Sequence, residues 1–216
     1  MDTKKLRQKI LDLAIRGKLV PQDPNDEPAS VLLERIRAEK EQLIKAGKIK
    51  RSKQSASDKS HYENKPFDIP ESWEWVNGFE IFNPMQSIRP EGDFFDYIDI
   101  DAIDNKRNVI ITPKHLASKN APSRATRQVS KGDVLFSMVR PYLRNIAKVD
   151  KDNYIASTGF YVCKPNDSIA NDYCLYLMLS DYVVSGLNQF MKGDNSPSIN
   201  NDHILSWQYP LPPIKE

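Results

Sequence analysis

Residues 133–162, DVLFSMVRPYLRNIAKVDKDNYIASTGFYV, hold the pattern that determines the predicted fold class. Short apolar runs of strand length alternate there with turn-forming residues, and similar runs lie upstream. The candidate strands are Tyr97–Ile100, Asn108–Ile111, Asp133–Val139, Ile146–Val149 and Gly159–Val162. Downstream, residues 171–186 (NDYCLYLMLSDYVVSG) predict one helix with an apolar side. Short mixed strands with few helices indicate an α+β fold rather than a doubly wound sheet.

Two helices are predicted before this region. Thr3 is the expected N-cap of the first, which carries apolar residues at helical spacing and ends at Gly17. The second runs from about Ala29 to Ala46 and closes at Gly47. Its narrow apolar stripe must pack either on the following domain or on a helix of a partner, because a lone helix of this length is marginal in water. The stripe comprises Leu32, Leu33, Ile36, Leu43 and Ile44.

The chain divides by composition into three parts. Residues 1–50 form the predicted helical segment, and residues 51–64 are a polar, Ser/Lys-rich linker without hydrophobic period. Residues 65–216 form the α+β domain, which opens with the extended segment PFDIPESWEW. This division places the strands and all candidate binding loops in the third part.

Composition limits the class of protein. Of 216 residues, 39% are hydrophobic and 28% charged, which suits a packed core. No apolar run approaches the roughly 18 residues of a membrane span, and the N-terminus lacks the apolar region of a secretory signal. We therefore expect a cytoplasmic protein without a membrane partner. In that compartment Cys163 and Cys174 are expected to be small buried core residues.

Charge is segregated along the chain, although the formal net charge is only +2. Residues 106–148 hold ten basic residues and a single acid, Asp133, whereas residues 91–104 hold six acids. Such segregation predicts surfaces of opposite sign, of which the basic one attracts polyanions. The alternative is that the two runs neutralise each other in space.

Motifs of common enzyme classes are missing from the sequence. It has no GxGxxG, GxxxxGK[ST], HExxH, GxSxG or paired CxxC, and its three histidines are far apart. The acids of residues 91–104 suit a metal-dependent nuclease on composition alone. However, Asp99 and Asp101 alternate with isoleucines, as in a strand with one polar face. We therefore expect no catalytic residue, no metal and no cofactor.

Several stretches, in this order, resemble the specificity subunits of Type I restriction-modification systems. They are LRQKILDLAIRGKLVPQDPNDEPASVLLERIRAEKEQLIKAGKIKR (6–51), PFDIPESWEW (66–75), APSRATRQVSKGDVLFSMVRPYLRNIAKV (121–149), IASTGFYVCKP (155–165) and NSPSINNDHILSWQYPLPPIKE (195–216). The resemblance implies a non-catalytic, sequence-specific DNA-binding subunit. Members of this family carry two recognition domains held apart by long helices, and each domain reads half of a bipartite site.

The resemblance also implies partners. Modification subunits dock on the helices and methylate adenine with S-adenosylmethionine, and a motor-nuclease restriction subunit cuts unmodified DNA. This sequence holds one recognition domain and one helical piece, and it stops at LPPIKE, where the long helix of the family begins. We therefore expect a fragment, a half-length subunit or the product of a truncated cassette, with a second half-subunit as a further partner.

Candidate DNA-binding residues follow from loop composition. Arg and Lys contact phosphates, and Arg, Asn and Ser side chains read base edges, so basic and amide-rich loops between strands are the natural candidates. A loop at residues 86–89 lies where the family has a Gly/Thr/Pro turn that is altered here. The predicted residues are Ser87, Arg89, Arg124, Arg127, Lys131, Arg140, Tyr142, Arg144, Lys192, Asn195, Ser196, Ser198, Asn200 and Asn201.

Three functions remain open from the sequence. The first is major-groove binding to a half-site in double-stranded DNA, with affinity that falls steeply with salt. The second is an assembly or scaffold role, including that of a silent cassette product, in which the helices bind modification subunits and DNA is read poorly. The third is an independent nuclease or transferase.

Overall fold

A computed structural model describes residues 2–47 and 65–216 of the chain. The linker predicted at residues 51–64 lies outside the described residues, as does His61. No helix in the described ranges is long and apolar enough to cross a membrane.

The described ranges contain six α-helices. They are α1 (Thr3–Ile15), α2 (Ala29–Lys45), α3 (Gly78–Ile81), α4 (Asn171–Leu179), α5 (Asp181–Asn188) and α6 (Asn201–Leu205). Short 3-10 turns lie at Ile100–Ala102, Ser118–Asn120 and Pro141–Leu143.

Strands are short throughout. They are β1 (Glu74–Asn77), β2 (Phe94–Ile98), β3 (Ile103–Asp104), β4 (Val109–Ile110), β5 (Lys114–Ala117), β6 (Ala125–Gln128), β7 (Val134–Ser137), β8 (Ile146–Lys148), β9 (Tyr154–Ser157), β10 (Phe160–Cys163) and β11 (Gln208–Leu211).

These strands form small sheets of mixed direction. One sheet has the order β5–β2–β9–β6, in which β2 and β9 are parallel and the outer pairs are antiparallel. A second, antiparallel sheet has the order β10–β7–β8. β1 pairs with β11, and β3 pairs with β4. Short mixed strands with separate helices confirm the predicted α+β class.

The sheet β10–β7–β8 is buried on both faces. Successive side chains of a strand point to opposite faces, so Phe136 of β7 and Tyr161 of β10 enter one hydrophobic cluster. Leu135 and Phe160, their neighbours in sequence, enter a second cluster on the other face, beside Ile98 of the four-stranded sheet. This double burial explains why these strands are continuous apolar runs in the sequence.

The N-terminal helices share the first of these clusters. Ile15 of α1 and Leu33 of α2 are 1% and 2% exposed and pack in the same buried group as Leu177 of α4. Only the first half of α2 is buried in this way, since Ile36 and Ile44 are half-buried. Of the predicted stripe, the Leu43 side chain lies outside the described residues.

Two predicted helix features are wrong in detail. The N-cap of α1 is Asp2 rather than Thr3, because the Asp2 carboxylate accepts from the backbone N–H groups of Lys4 and Lys5 at 3.1 and 3.2 Å. The single helix predicted over residues 171–186 is two helices. Ser180 between them has extended backbone (φ −66°, ψ 150°), and its hydroxyl caps α5 by accepting from Val183 N–H at 3.3 Å.

The polar strand face predicted for Asp99 and Asp101 is also wrong. β2 ends at Ile98, and Asp99 then accepts from the Ile100 N–H at 2.9 Å as the cap of a 3-10 turn. The predicted burial of Cys163 and Cys174 is confirmed, since both are fully buried.

Candidate nucleic-acid interface

Five chain segments lie side by side at one end of the sheets, and we call them the loop ridge. In spatial order they are residues 86–89, 124–128, 157–159, 138–140 and 192–199. Backbone hydrogen bonds connect each segment to the next. At a spacing of about 4.8 Å between paired segments, the ridge is about 19 Å wide.

The first two connections involve the segment that contains β6. Ile88 N–H donates to the Thr126 carbonyl at 2.9 Å, and Gln128 N–H donates to the Gln86 carbonyl at 3.1 Å. On the other side, Thr158 N–H donates to the Arg124 carbonyl at 2.9 Å. The predicted loop at 86–89 is therefore fixed against the predicted arginine loop.

The remaining connections run through Met138. Its N–H donates to the Gly159 carbonyl at 2.9 Å, and its carbonyl accepts from Ile199 N–H at 3.0 Å. Arg140 N–H donates to the Pro197 carbonyl at 2.8 Å. Candidate loops more than 100 residues apart in sequence thus form one continuous surface.

The last ridge segment ends in a hairpin. Lys192 and Ser198 exchange backbone hydrogen bonds of 3.0 and 2.9 Å, which closes a loop with Asn195 and Ser196 exposed at its tip. Gly193 in this loop has φ +102°, a conformation that favours glycine. The Arg140 guanidinium donates to the Asn195 carbonyl at 2.7 Å and braces the hairpin against the neighbouring segment.

The ridge carries a row of cations. Arg89, Arg124, Arg140 and Lys192 are exposed, and Arg127 is half-buried. None of the five forms an ion pair with a described residue. Their positive charge is therefore not neutralised within residues 2–47 and 65–216, and it is available to an anion.

Arg127 differs from the other cations of the row because part of its guanidinium is buried without a hydrogen-bond partner among the described residues. Its Nε is buried and has no hydrogen-bond partner in the described protein. A buried donor without a partner costs about 1–3 kcal/mol, and more for a charged group. Behind Arg127 lies Tyr161, whose pKa is raised by burial despite the opposing effect of this guanidinium. An acceptor from a bound molecule would supply the partner that Arg127 lacks.

Arg124 packs over a glycine in the middle of the ridge. Its Nη2 lies only 2.6 Å from where a Cβ of Gly159 would be. Tyr97 is close by, and burial raises the pKa of its phenol while Arg124 opposes this rise. Gly159 and Thr158 were not predicted as site residues. The sequence signal for them is a glycine in a turn between apolar runs.

Arg144 and Tyr142 lie beside the ridge. The Arg144 guanidinium donates to the Leu179 carbonyl at 2.6 Å and to the Asp181 carboxylate, and its side chain is 18% exposed. Tyr142 is 47% exposed on the 3-10 turn after Arg140. The structure thus directs Arg144 toward the helices and Tyr142 toward solvent.

Other predicted residues fall at the margin or elsewhere. Asn200 caps α6, because its side chain accepts from His203 N–H at 3.0 Å. Asn201, the first residue of α6, has a buried side-chain oxygen without a partner. Lys131 lies at the opposite end of β7 from the ridge, where its backbone N–H donates to Asp152 at 2.8 Å. The structure does not bring Lys131 together with the other candidates.

Some acids of residues 91–104 form ion pairs with nearby basic residues, so part of the opposite charge is neutralised within the protein. Lys114 and Asp101 form an ion pair of 2.7 Å, and this hydrogen bond raises the pKa of Lys114. Asp96 accepts from His115 at 2.8 Å and from Lys151 at 3.4 Å, and these contacts lower the pKa of its carboxyl. The acidic run therefore neutralises off-ridge cations, while the ridge cations stay unpaired.

Metal-binding side chains are not clustered in the described ranges, where no three His, Cys, Asp or Glu residues converge on a common point.

Comparisons with known proteins connect the chain to one functional class. No family model matches it. Two Escherichia coli proteins match 99% of the chain, the Type I restriction enzyme EcoAI specificity subunit at 31% identity and the EcoEI specificity subunit at 33%. The chain spans 37% of the length of each of these curated relatives. In structure, it resembles the HsdS subunit from Thermoanaerobacter tengcongensis with a TM-score of 0.64 and 34% identity, covering 69% of this chain and 40% of that one.

Proposed function

The chain is homologous to part of the specificity subunits of Type I restriction enzymes, and we propose that it binds double-stranded DNA sequence-specifically through the loop ridge. In this role it reads one half of a bipartite target site and performs no catalysis itself. The major groove is about 12 Å wide, so a ridge about 19 Å wide covers the groove and reaches the phosphates on both sides.

One observation carries this proposal, namely the row of unpaired cations on hydrogen-bonded loops. Burial of a polar group without a hydrogen-bond partner is unfavourable, and Arg127 has a buried Nε without an acceptor among the described residues. The other four cations are exposed. Phosphate oxygens and base edges are hydrogen-bond acceptors of the kind that these side chains lack. Arg89, Arg124, Arg127, Arg140 and Lys192 are the proposed contacts, with Asn195, Ser196 and Ser87 beside them.

As partners we propose double-stranded DNA, modification subunits and, through these, a restriction subunit, with a second half-subunit to read the other half-site. With this role we propose a cytoplasmic location. The two N-terminal helices are the proposed docking segment for modification subunits. Their exposed apolar side chains include Leu6, Ile10 and Val31, which are 40%, 43% and 46% exposed.

Selection from randomised duplex DNA at low and physiological salt tests the proposal. The full chain should enrich a short fixed motif, and its affinity should fall steeply as salt rises. Replacement of Arg89, Arg127 or Arg140 by Ala should weaken binding. Each replacement that removes a phosphate partner should also reduce the slope of log affinity against log salt by about one.

Arg107→Ala is the matched control, since Arg107 is an exposed arginine outside the ridge, as Arg89 and Arg140 are exposed within it. It should leave both affinity and slope unchanged. Equal effects of Arg107→Ala and the ridge substitutions would mean that binding is general electrostatic attraction. A chain that enriches no motif but co-purifies with a modification subunit would support the scaffold role instead.

A further inference from the structure

We propose that Arg124 reads a guanine in the middle of the half-site and that Gly159 positions its guanidinium for this contact. This inference rests on the proposed DNA-binding function of the loop ridge. It goes beyond that function by naming the residue that determines specificity and the base that this residue selects.

Gly159 leaves the space that the guanidinium occupies. A Cβ at this position would lie 2.6 Å from Nη2 of Arg124, closer than real Cβ contacts, and 3.1 Å from Cδ1 of Ile100, which is tighter than most. The backbone of Gly159 does not have the positive φ that favours glycine. Alanine is therefore compatible with the backbone there, and the obstacle to a side chain is the guanidinium together with Ile100.

Arg124 lies near the middle of the ridge. Its own segment is the second of five, and Gly159, over which it packs, belongs to the third. Cations flank it on both sides, with Arg89 on the first segment and Arg140 and Lys192 on the fourth and fifth. In a duplex seated across the ridge, the flanking cations meet the two phosphate backbones and Arg124 faces the base edges between them.

The Arg124 guanidinium lies against Gly159 and is free to bind. It makes no ion pair and donates no side-chain hydrogen bond to a described residue, so its donors are available. A fixed planar guanidinium donates two parallel hydrogen bonds to O6 and N7 of guanine, the commonest specific contact in the major groove. A guanidinium also binds phosphate bidentately, so it is the place of Arg124 between the flanking cations, and not its planar shape, that favours a contact with a base.

Selection from randomised duplexes separates these two kinds of contact. The full chain should enrich a motif with an invariant guanine. Arg124→Lys keeps the charge but removes the planar fork, so discrimination at that one position should fall about tenfold or more while the other positions are retained. Arg89→Lys, the matched control at the end of the ridge, should leave every position of the motif unchanged.

Gly159→Ala tests the positioning role. It should reduce discrimination at the same base as Arg124→Lys, while the thermal unfolding midpoint should change little, because the Ile100 methyl has to move by only a few tenths of an ångström. The double substitution should be no worse than the more severe single one, since both remove the same interaction. A merely structural role of Gly159 would instead lower the unfolding midpoint or weaken all positions together.

The outcomes distinguish the levels of the inference. If Arg124→Lys retains the guanine preference, Arg124 does not read the base and the inference fails. If Arg124→Lys abolishes the preference but Gly159→Ala keeps it, the positioning role of Gly159 is wrong. If the unaltered chain binds duplexes without enriching any motif, the proposed function itself fails, and the inference with it.

Discussion

The guanidinium of Arg144 is held on the body of the protein from two sides. It donates to the Leu179 carbonyl, at the end of α4, and to the carboxylate of Asp181, in the first turn of α5. Arg124 lies in the same basic stretch of sequence, yet its guanidinium has no such partners among the described residues. Arginines from one stretch of sequence thus differ in their surroundings: Arg144 is bound to the helices, and Arg124 is left available to a ligand.

Replacement of Arg144 by Ala is therefore expected to destabilise the fold. It removes two charge-assisted hydrogen bonds, one to the part-buried Leu179 carbonyl and one to the exposed Asp181 carboxylate. The loss should lower the free energy of unfolding by about 1.5–3 kcal/mol, mostly through the first bond. Arg124→Ala, the matched control, should change it by less than about 0.5 kcal/mol. Chemical denaturation measures both. Unchanged stability combined with abolished DNA binding in Arg144→Ala would instead favour Arg144 as a DNA-binding residue.

Loop composition was sufficient to find most residues of the ridge but not their arrangement. Arg124, Arg140 and the 192–199 loop are basic or polar segments between strands, and the structure places them together. Lys131 has the same composition signal but lies at the far end of β7. Which loops meet depends on strand pairing, and that is a long-range property which local composition does not contain. Thr158–Gly159 has only the local signal of a glycine in a turn, and its place beside Arg124 could not be predicted for the same reason.

At the scale of elements, burial decides which strands can be predicted. β7, β8 and β10 are buried on both faces and therefore appear as continuous apolar runs. β5 (KHLA) and β6 (ATRQ) are short, carry charged side chains and lie at the two edges of their sheet. Backbone pairing rather than an apolar pattern defines them, so hydrophobic periodicity does not reveal them.

The break between α4 and α5 depends on Ser180. Its hydroxyl donates to the Leu177 carbonyl at 2.6 Å and accepts from Val183 N–H at 3.3 Å, and the side chain is buried. Ser180→Ala removes this cap and should lower the free energy of unfolding by about 0.5–2 kcal/mol. Ser185→Ala, at an exposed position inside α5, should be neutral or slightly stabilising because alanine favours helix. Similar decreases in the two variants under chemical denaturation would contradict the capping role.

At the scale of the whole molecule, the N-terminal helices and the sheets share one hydrophobic core. Leu11 and Ile15 of α1 and Ala29 and Leu33 of α2 are buried in the same cluster as the sheet β10–β7–β8. The sequence divides the chain into a helical segment, a linker and a recognition domain, and that division remains a prediction. A shared core indicates that the helical segment and the domain unfold together, since neither buries these side chains alone.

Ile15→Ala tests this coupling against Ile10→Ala in the same helix. Ile15 is 1% exposed and Ile10 is 43% exposed, so only the first substitution leaves a cavity in the core. Ile15→Ala should lower the free energy of unfolding by about 2–5 kcal/mol, whereas Ile10→Ala should change it by less than about 0.5 kcal/mol. The fluorescence of Trp73, Trp75 and Trp207, all outside α1 and α2, should follow the same transition as the helical circular dichroism. If Ile15→Ala shifts the unfolding transition seen by circular dichroism but not the one seen by fluorescence, the helices unfold as a separate unit. The boundary predicted from the sequence would then also separate two units that unfold independently.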